Sequence, residues 1–104
     1  MTIKKLLISN RGEIASRIIK SAHDMGITCV AIYTEADKNT PYVREAEQSF
    51  KLSDSYLNAK EILEIAKKNN VDAIHPGYGF LSENANFANN VKKVGIIWIG
   101  PSAN

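Results

Sequence analysis

IKKLLISNRGEIASRIIKSAHDMG, residues 3–26, joins two periodicities at a tight turn. Ile3 to Ser9 is short, apolar and rich in branched side chains, which predicts a buried strand. Asn10 follows with a side-chain oxygen able to cap a helix, and Glu13 falls three residues later, as in a capping box. Ile14, Ile18, Ala22 and Met25 then recur at helical spacing, and Gly26 is placed to end the helix in the left-handed conformation. The segment therefore reads as strand, turn and helix.

The same unit repeats outward along the chain. Thr28 to Tyr33 predicts a second strand, followed by the polar stretch EADKNTPYVREAEQ, in which Thr40 and Pro41 can open a single helical turn. Ser49 to Leu52 is a weaker third strand, and Ser53, Asp54 and Ser55 are turn formers. Asn58 and Glu61 repeat the cap spacing before a helix with Ala59, Ile62, Leu63 and Ala66 on one face, fading at Asn69 and Asn70. Ala73 to His75 is a fourth strand. Ser82 or Asn84 can cap a helix that turns Phe87, Ala88, Val91 and Val94 inward before Gly95, and Ile96 to Ile99 is the fifth strand.

Apolar strands separated by amphipathic helices imply an α/β fold: a doubly wound, mainly parallel five-stranded sheet with helices on both faces, Rossmann-like or flavodoxin-like. At 104 residues the chain is one domain, 1–104. It stops just after its fifth strand, which is expected of a piece of a longer protein. In such sheets ligands settle beyond the carboxyl ends of the strands, at the point where the winding reverses. Three loops compete for that place: NRGE after the first strand, YTEAD after the second and HPGYGFLSEN (75–84) after the fourth. Neighbouring first and fourth strands would set NRGE and HPGYGF face to face.

Composition narrows the partners. An apolar fraction of 44%, a charged fraction of 23% and 13 basic against 11 acidic residues fit an ordinary globular domain with no basic stripe for nucleic acid. No segment has the length of a membrane span or of a signal-peptide core, and the lone Cys29 lies in the apolar run CVAIY, so a cytoplasmic, reducing setting is expected. Glu35 or Asp37 could hold ribose hydroxyls, but SNRGEIAS has one glycine where a dinucleotide turn needs three, and Gly77 and Gly79 lack the lysine and hydroxyl of a phosphate loop. No Cys and His cluster has metal spacing. His75, at a strand end before Pro76, is expected to bond a neighbouring loop; His23 should meet the helix dipole and solvent. Gly77 and Gly79 mark either a tight turn or a close approach to a ligand, and Tyr78 between them has little local cover.

At ISNRGEIASRII (8–19) and DAIHPGYGFLSENANFA (72–88) the chain resembles the amino-terminal domain of biotin carboxylase, and the likeness runs through SYLN (55–58) to WIGPSAN (98–104). That family carboxylates biotin on a carrier protein with ATP, a divalent metal (Mg or Mn) and bicarbonate. The resemblance implies a domain of the pre-ATP-grasp type, with the ATP-grasp and C-terminal regions absent from this chain. The fragment is then expected to be inactive alone, to bind no cofactor itself, and to contribute a cleft wall and a subunit contact. Implied partners are the remainder of biotin carboxylase, the biotin carboxyl carrier protein and the carboxyltransferase of an acetyl-CoA, propionyl-CoA or pyruvate carboxylase.

By the same resemblance, Tyr78 and Gly79 match the loop bordering the biotin-binding region. Arg17, Lys20 and Asp24 match a homodimer contact; their spacing puts them on one polar helix face, which also reads as plain solvated surface. The chain departs from the family pattern at Tyr42 and at Ala46-Glu47-Gln48, where Gln48 removes a charge. Two readings of other classes stand beside this one: a freestanding nucleotide- or small-ligand-binding domain of flavodoxin-like type, and a dimerisation module built on the Arg17 helix.

Overall fold

The computed structural model describes residues 2–101. In chain order it contains β1 (Lys5–Ile8), α1 (Gly12–Asp24), β2 (Thr28–Tyr33), a 3-10 turn (Glu35–Asp37), α2 (Pro41–Glu45), β3 (Gln48–Lys51), α3 (Ala59–Lys68), β4 (Ala73–His75), α4 (Ala85–Lys93) and β5 (Ile97–Trp98). All four pairings in the five-stranded sheet are parallel, in the order β3-β2-β1-β4-β5. That is the Rossmann order rather than the flavodoxin one. The chain winds outward from β1 to β3, returns through α3 to the other side of β1, and continues to β5. The reversal lies between β1 and β4, where Leu6, Leu7 and Ile8 pair with Ala73, Ile74 and His75.

Strand alternation sends side chains to two separate cores. Leu7, Val30, Ile32 and Ile74 face α3 and α4, packing with Ile62, Ala66, Phe87 and Val91. Leu6, Ile8, Cys29, Ala31 and Ala73 face the other way, onto Ala15, Ile19, Ala22, Tyr42 and Val43 of α1 and α2. Both faces are therefore covered, as parallel strands require, and each fully buried Leu or Ile stabilises the fold by about 1.5–3 kcal/mol.

Local signals place most boundaries. Asn58 accepts the Glu61 N–H at 3.1 Å to open α3, and Asn84 accepts the Phe87 N–H at 2.8 Å to open α4. Glu61 does not reach back to Asn58; its carboxylate takes the Ser53 N–H and hydroxyl instead, tying the turn after β3 to α3. The capping box expected at Asn10 and Glu13 is absent. Arg11 occupies the cap position of α1 without a side-chain bond, because Asn10 is committed elsewhere. Met25 and Val94, expected on buried stripes, are 76% and 41% exposed. Each stands at its helix's carboxyl end, where the apolar stripe has turned off the sheet. β3 begins one residue earlier than its apolar run suggested, because its register is set by pairing with β2.

Candidate functional site

The loop joining β4 to α4 carries left-handed backbone at Gly77 (φ 65°), Gly79 (φ 66°) and Phe80 (φ 47°). Asn10 holds it. The Asn10 Nδ2 donates to the carbonyls of Pro76 and Tyr78, both at 2.7 Å, while its Oδ1 accepts the Arg11 N–H at 2.8 Å. One wholly buried amide thus fastens the turn after β1 to the loop after β4. A side-chain carbon at Gly77 would come within 2.7 Å of Asn10 Nδ2 and 2.8 Å of Ile14 Cγ2, whereas one at Gly79 would meet nothing within 4 Å. The two glycines therefore serve differently: Gly77 for close approach of backbone to Asn10, Gly79 for its backbone angle alone.

Tyr78 is turned outward by this clamp and is 78% exposed. Below it an apolar groove of about 560 Å³ runs between α1 and the β4–β5 edge, lined by Ile14, Ile18, Ile99, His75 and Tyr78 among others. The His75 Nδ1 accepts the Gly77 N–H at 3.1 Å, so the ring braces its own loop, and burial lowers its pKa below the usual histidine range.

Arg11, the next residue after Asn10, reaches the opposite way. Its Nε and Nη2 donate to the Asp37 carboxylate at 2.6 and 2.7 Å. Asp37 is 3% exposed, and its Oδ2 also accepts the Tyr56 hydroxyl at 2.5 Å. The Tyr56 oxygen lies 2.7 Å from that of Tyr42, which donates to the Ile32 carbonyl at 2.9 Å. The bond from Arg11, joined by that from Tyr56, lowers the Asp37 carboxyl from its usual range despite burial. Burial and the Tyr56 contact push the Tyr42 phenol far up. NRGE and YTEAD are thereby locked together just as NRGE and HPGYGF are. The three competing loops form one assembly around residues 10 and 11.

This network occupies the two acidic groups that follow β2. Asp37 is saturated by Arg11 and Tyr56. Glu35 is bridged to Lys38 at 2.5 Å and Lys51 at 2.6 Å, which hold its carboxyl down at about 2. Neither is free for ribose hydroxyls. Tyr78 and Gly79 offer an exposed phenol beside open space.

Arg17, Lys20 and Asp24 do share one exposed face of α1, with side chains 81%, 80% and 71% exposed; Arg17 lies 3.8 Å from Glu13 and Lys20 3.9 Å from Asp24. Cys29 is buried as expected, and burial, with the charge of Glu47, pushes its thiol up to about 11. His23 stands exposed in the last turn of α1, as expected, and also meets Glu47 at 3.0 Å. The partnerships of Arg11 with Asp37 and of Asn10 with Pro76 escaped sequence reasoning because the strand order alone brings them together. The one available signal was a lone aspartate, Asp37, beyond a strand end.

Among the described residues no helix is long and apolar enough to cross a membrane. The chain matches the family described as biotin carboxylase, N-terminal domain, over residues 2–104. It is 52% identical to biotin carboxylase 1 of Bacillus subtilis, a match covering 97% of this chain and 24% of that protein. The biotin carboxylase domain dimer of Hydrogenobacter thermophilus 2-oxoglutarate carboxylase, solved with MgADP, ADP and bicarbonate, superposes with a TM-score of 0.95 at 42% identity, over 99% of this chain and 24% of that one. The complete pyruvate carboxylase of Rhizobium etli superposes with a TM-score of 0.93, over 99% of this chain and 11% of that one. The chain thus spans a quarter or less of these relatives. It belongs to the biotin carboxylase N-terminal domain family.

Proposed function

We propose that this domain forms one wall of the active-site cleft of a biotin carboxylase, with Tyr78 and Gly79 bordering the place where the biotin ring lies. The observation that carries this reading is the Asn10 clamp, which holds the Pro76 and Tyr78 carbonyls and turns the phenol outward at the winding reversal. The groove under Tyr78 gives the wall an apolar surface for the rest of the polypeptide to cover. In the complete enzyme ATP, Mg or Mn, and bicarbonate would be held by an ATP-grasp region following this domain. The biotin would arrive on its carrier protein, and the carboxyl group would leave for a carboxyltransferase of the acetyl-CoA, propionyl-CoA or pyruvate class in the cytoplasm. Phosphoryl transfer depends on cations and held metals around the triphosphate. This domain's share is to orient and to enclose.

The test is a bicarbonate-dependent ATP-cleavage assay with free biotin. The 104-residue chain alone should show no turnover, and clear turnover would overturn the reading. In the longer polypeptide containing this domain, Tyr78→Ala should raise KM for biotin several-fold and leave KM for ATP unchanged. Equal effects on both, or none, would remove Tyr78 from the site.

The polar face of α1 supports a subunit contact, since Arg17, Lys20 and Asp24 stand exposed in a row. Charge reversal at Arg17 and Lys20 should shift sedimentation of the longer polypeptide toward monomer. An unchanged dimer would mark the face as solvated surface.

A further inference from the structure

We propose that His23, Cys29 and Glu47 form a site for one zinc-class divalent ion, a clip at the amino-terminal end of the strands. The His23 Nε2, the Cys29 sulfur and a Glu47 carboxylate oxygen all lie within 4.8 Å of one another. They come from three different elements: the last turn of α1, the second residue of β2, and the residue before β3. The imidazole nitrogen is already 3.0 and 3.1 Å from the two carboxylate oxygens. The carboxylate is aimed by the Cys29 N–H, which donates to Glu47 Oε1 at 2.7 Å, so the same residue that supplies the sulfur also positions the oxygen.

Nitrogen, sulfur and oxygen ligands together suit zinc, whose bonds of about 2.0–2.3 Å place tetrahedral ligands roughly 3.3–3.8 Å apart. A contraction of about 1 Å gathers these three. The His23 and Glu47 side chains are 37% and 46% exposed while Cys29 is buried. The sulfur thus forms the floor, the imidazole and carboxylate form the mouth, and a fourth position opens to water. On binding, the thiol loses its proton to solvent, and a dication between Cys29 and Glu47 attracts both the thiolate and the carboxylate. The clip would pin the last turn of α1 to the sheet, beside Lys20 and Asp24. A plain His23–Glu47 ion pair would show no dependence on Cys29.

The experiment uses the 104-residue chain, chelator-stripped and reduced, with zinc alone in equilibrium dialysis and thermal unfolding, and cobalt(II) as a spectroscopic probe. One equivalent should bind at free zinc on the order of micromolar, with Tm rising as free zinc rises because the unfolded chain lacks the site. Cobalt should give a sulfur-to-metal charge-transfer band in the near ultraviolet. H23A and E47Q, which alter partly exposed positions, should each weaken binding at least tenfold, and C29S should abolish the band. Should C29S fail to fold, the two surface variants and the cobalt spectrum of the parent chain still decide. Absence of binding at that concentration, a cobalt spectrum without the sulfur band, or binding that H23A and E47Q leave unchanged overturns the proposal.

Discussion

Arg11 reaches Asp37 across 26 positions of sequence through two parallel bonds, Nε to Oδ2 at 2.6 Å and Nη2 to Oδ1 at 2.7 Å. The pair closes the turn after β1 against the 3-10 turn after β2, and Tyr56 and Tyr42 carry it inward to the Ile32 carbonyl. Removing the carboxylate takes a partner from a guanidinium and a buried phenol. Because Arg11 is half exposed, water compensates part of its loss. Asp37→Ala should therefore cost about 1–3 kcal/mol, from the guanidinium and the Tyr56 hydroxyl that lose this carboxylate, with the Tyr42 oxygen at 2.7 Å remaining as the hydroxyl's other acceptor. Urea unfolding checks this through a lower midpoint at unchanged slope. A loss below about 0.5 kcal/mol, the range of ordinary surface substitutions, would show the network to be idle.

The same carboxylate sets an acid dependence. Its pKa is depressed in the folded state, so its stabilisation is fully present above its ordinary value of 3.8 and is lost as pH falls through its folded value. Glu35, held at about 2, titrates in an overlapping range. The informative quantity is therefore the difference between parent and Asp37→Asn. That difference should shrink as pH drops below about 4, and a difference constant down to the acid transition would contradict the assignment.

Gly77 and Gly79 share a left-handed backbone and differ only in what surrounds them. Alanine at either position meets the left-handed penalty of about 1–2 kcal/mol, and at Gly77 it also collides with Asn10 and Ile14. Gly77→Ala should lose about 3 kcal/mol and Gly79→Ala about 1. In thermal unfolding at roughly 4–8 °C per kcal/mol, the two melts should separate clearly. The reverse order would mean that the Asn10 contact is not the tight one.

Asn10→Ala deletes both donors of the clamp. The Pro76 and Tyr78 carbonyls lose their partner, at a cost of about 1–3 kcal/mol. Amide exchange should quicken at Gly77 and Gly79 while the central strands stay protected. Uniform acceleration across the sheet would instead indicate global destabilisation with no local clamp.

His75 is disfavoured as a cation in the fold because burial lowers its pKa, and its Nδ1 accepts the Gly77 N–H. Its contribution to stability is complete above the ordinary value of 6.5 and declines as pH falls through the lower folded value. Proton NMR titration should place the ring below 6.5, with the Gly77 amide shifting in step. A midpoint at or above 6.5 would exclude the buried acceptor role.

Ser9 carries the one buried side-chain polar atom without a partner among the described residues. Ser9→Ala should raise stability by about 1 kcal/mol, read as a higher melting temperature, since it removes an unmatched hydroxyl at little change of volume. A loss of similar size would reveal a bond that the hydroxyl makes in solution.

The strand–helix alternation, the Asn58 cap and the family match were legible in the residues, because each rests on local periodicity, on spacing of three, or on a continuous motif, and the structure chose Asn84 over Ser82 as the cap of α4. Spacing also put Arg17, Lys20 and Asp24 on one face. It misled at Asn10, where a helix-capping side chain was captured by carbonyls 66 and 68 positions away. It did not reveal that His23 also meets Glu47, which the return of β3 to the sheet brings beside it. Such pairings depend on which strands become neighbours, and that choice comes from packing Leu7 and Ile74 against one helical layer and Leu6 and Ala73 against the other. A chain read in one dimension carries the preference for each element, whereas long-range hydrogen bonds exist only once the strand order 3-2-1-4-5 brings the loops within about 3 Å of one another.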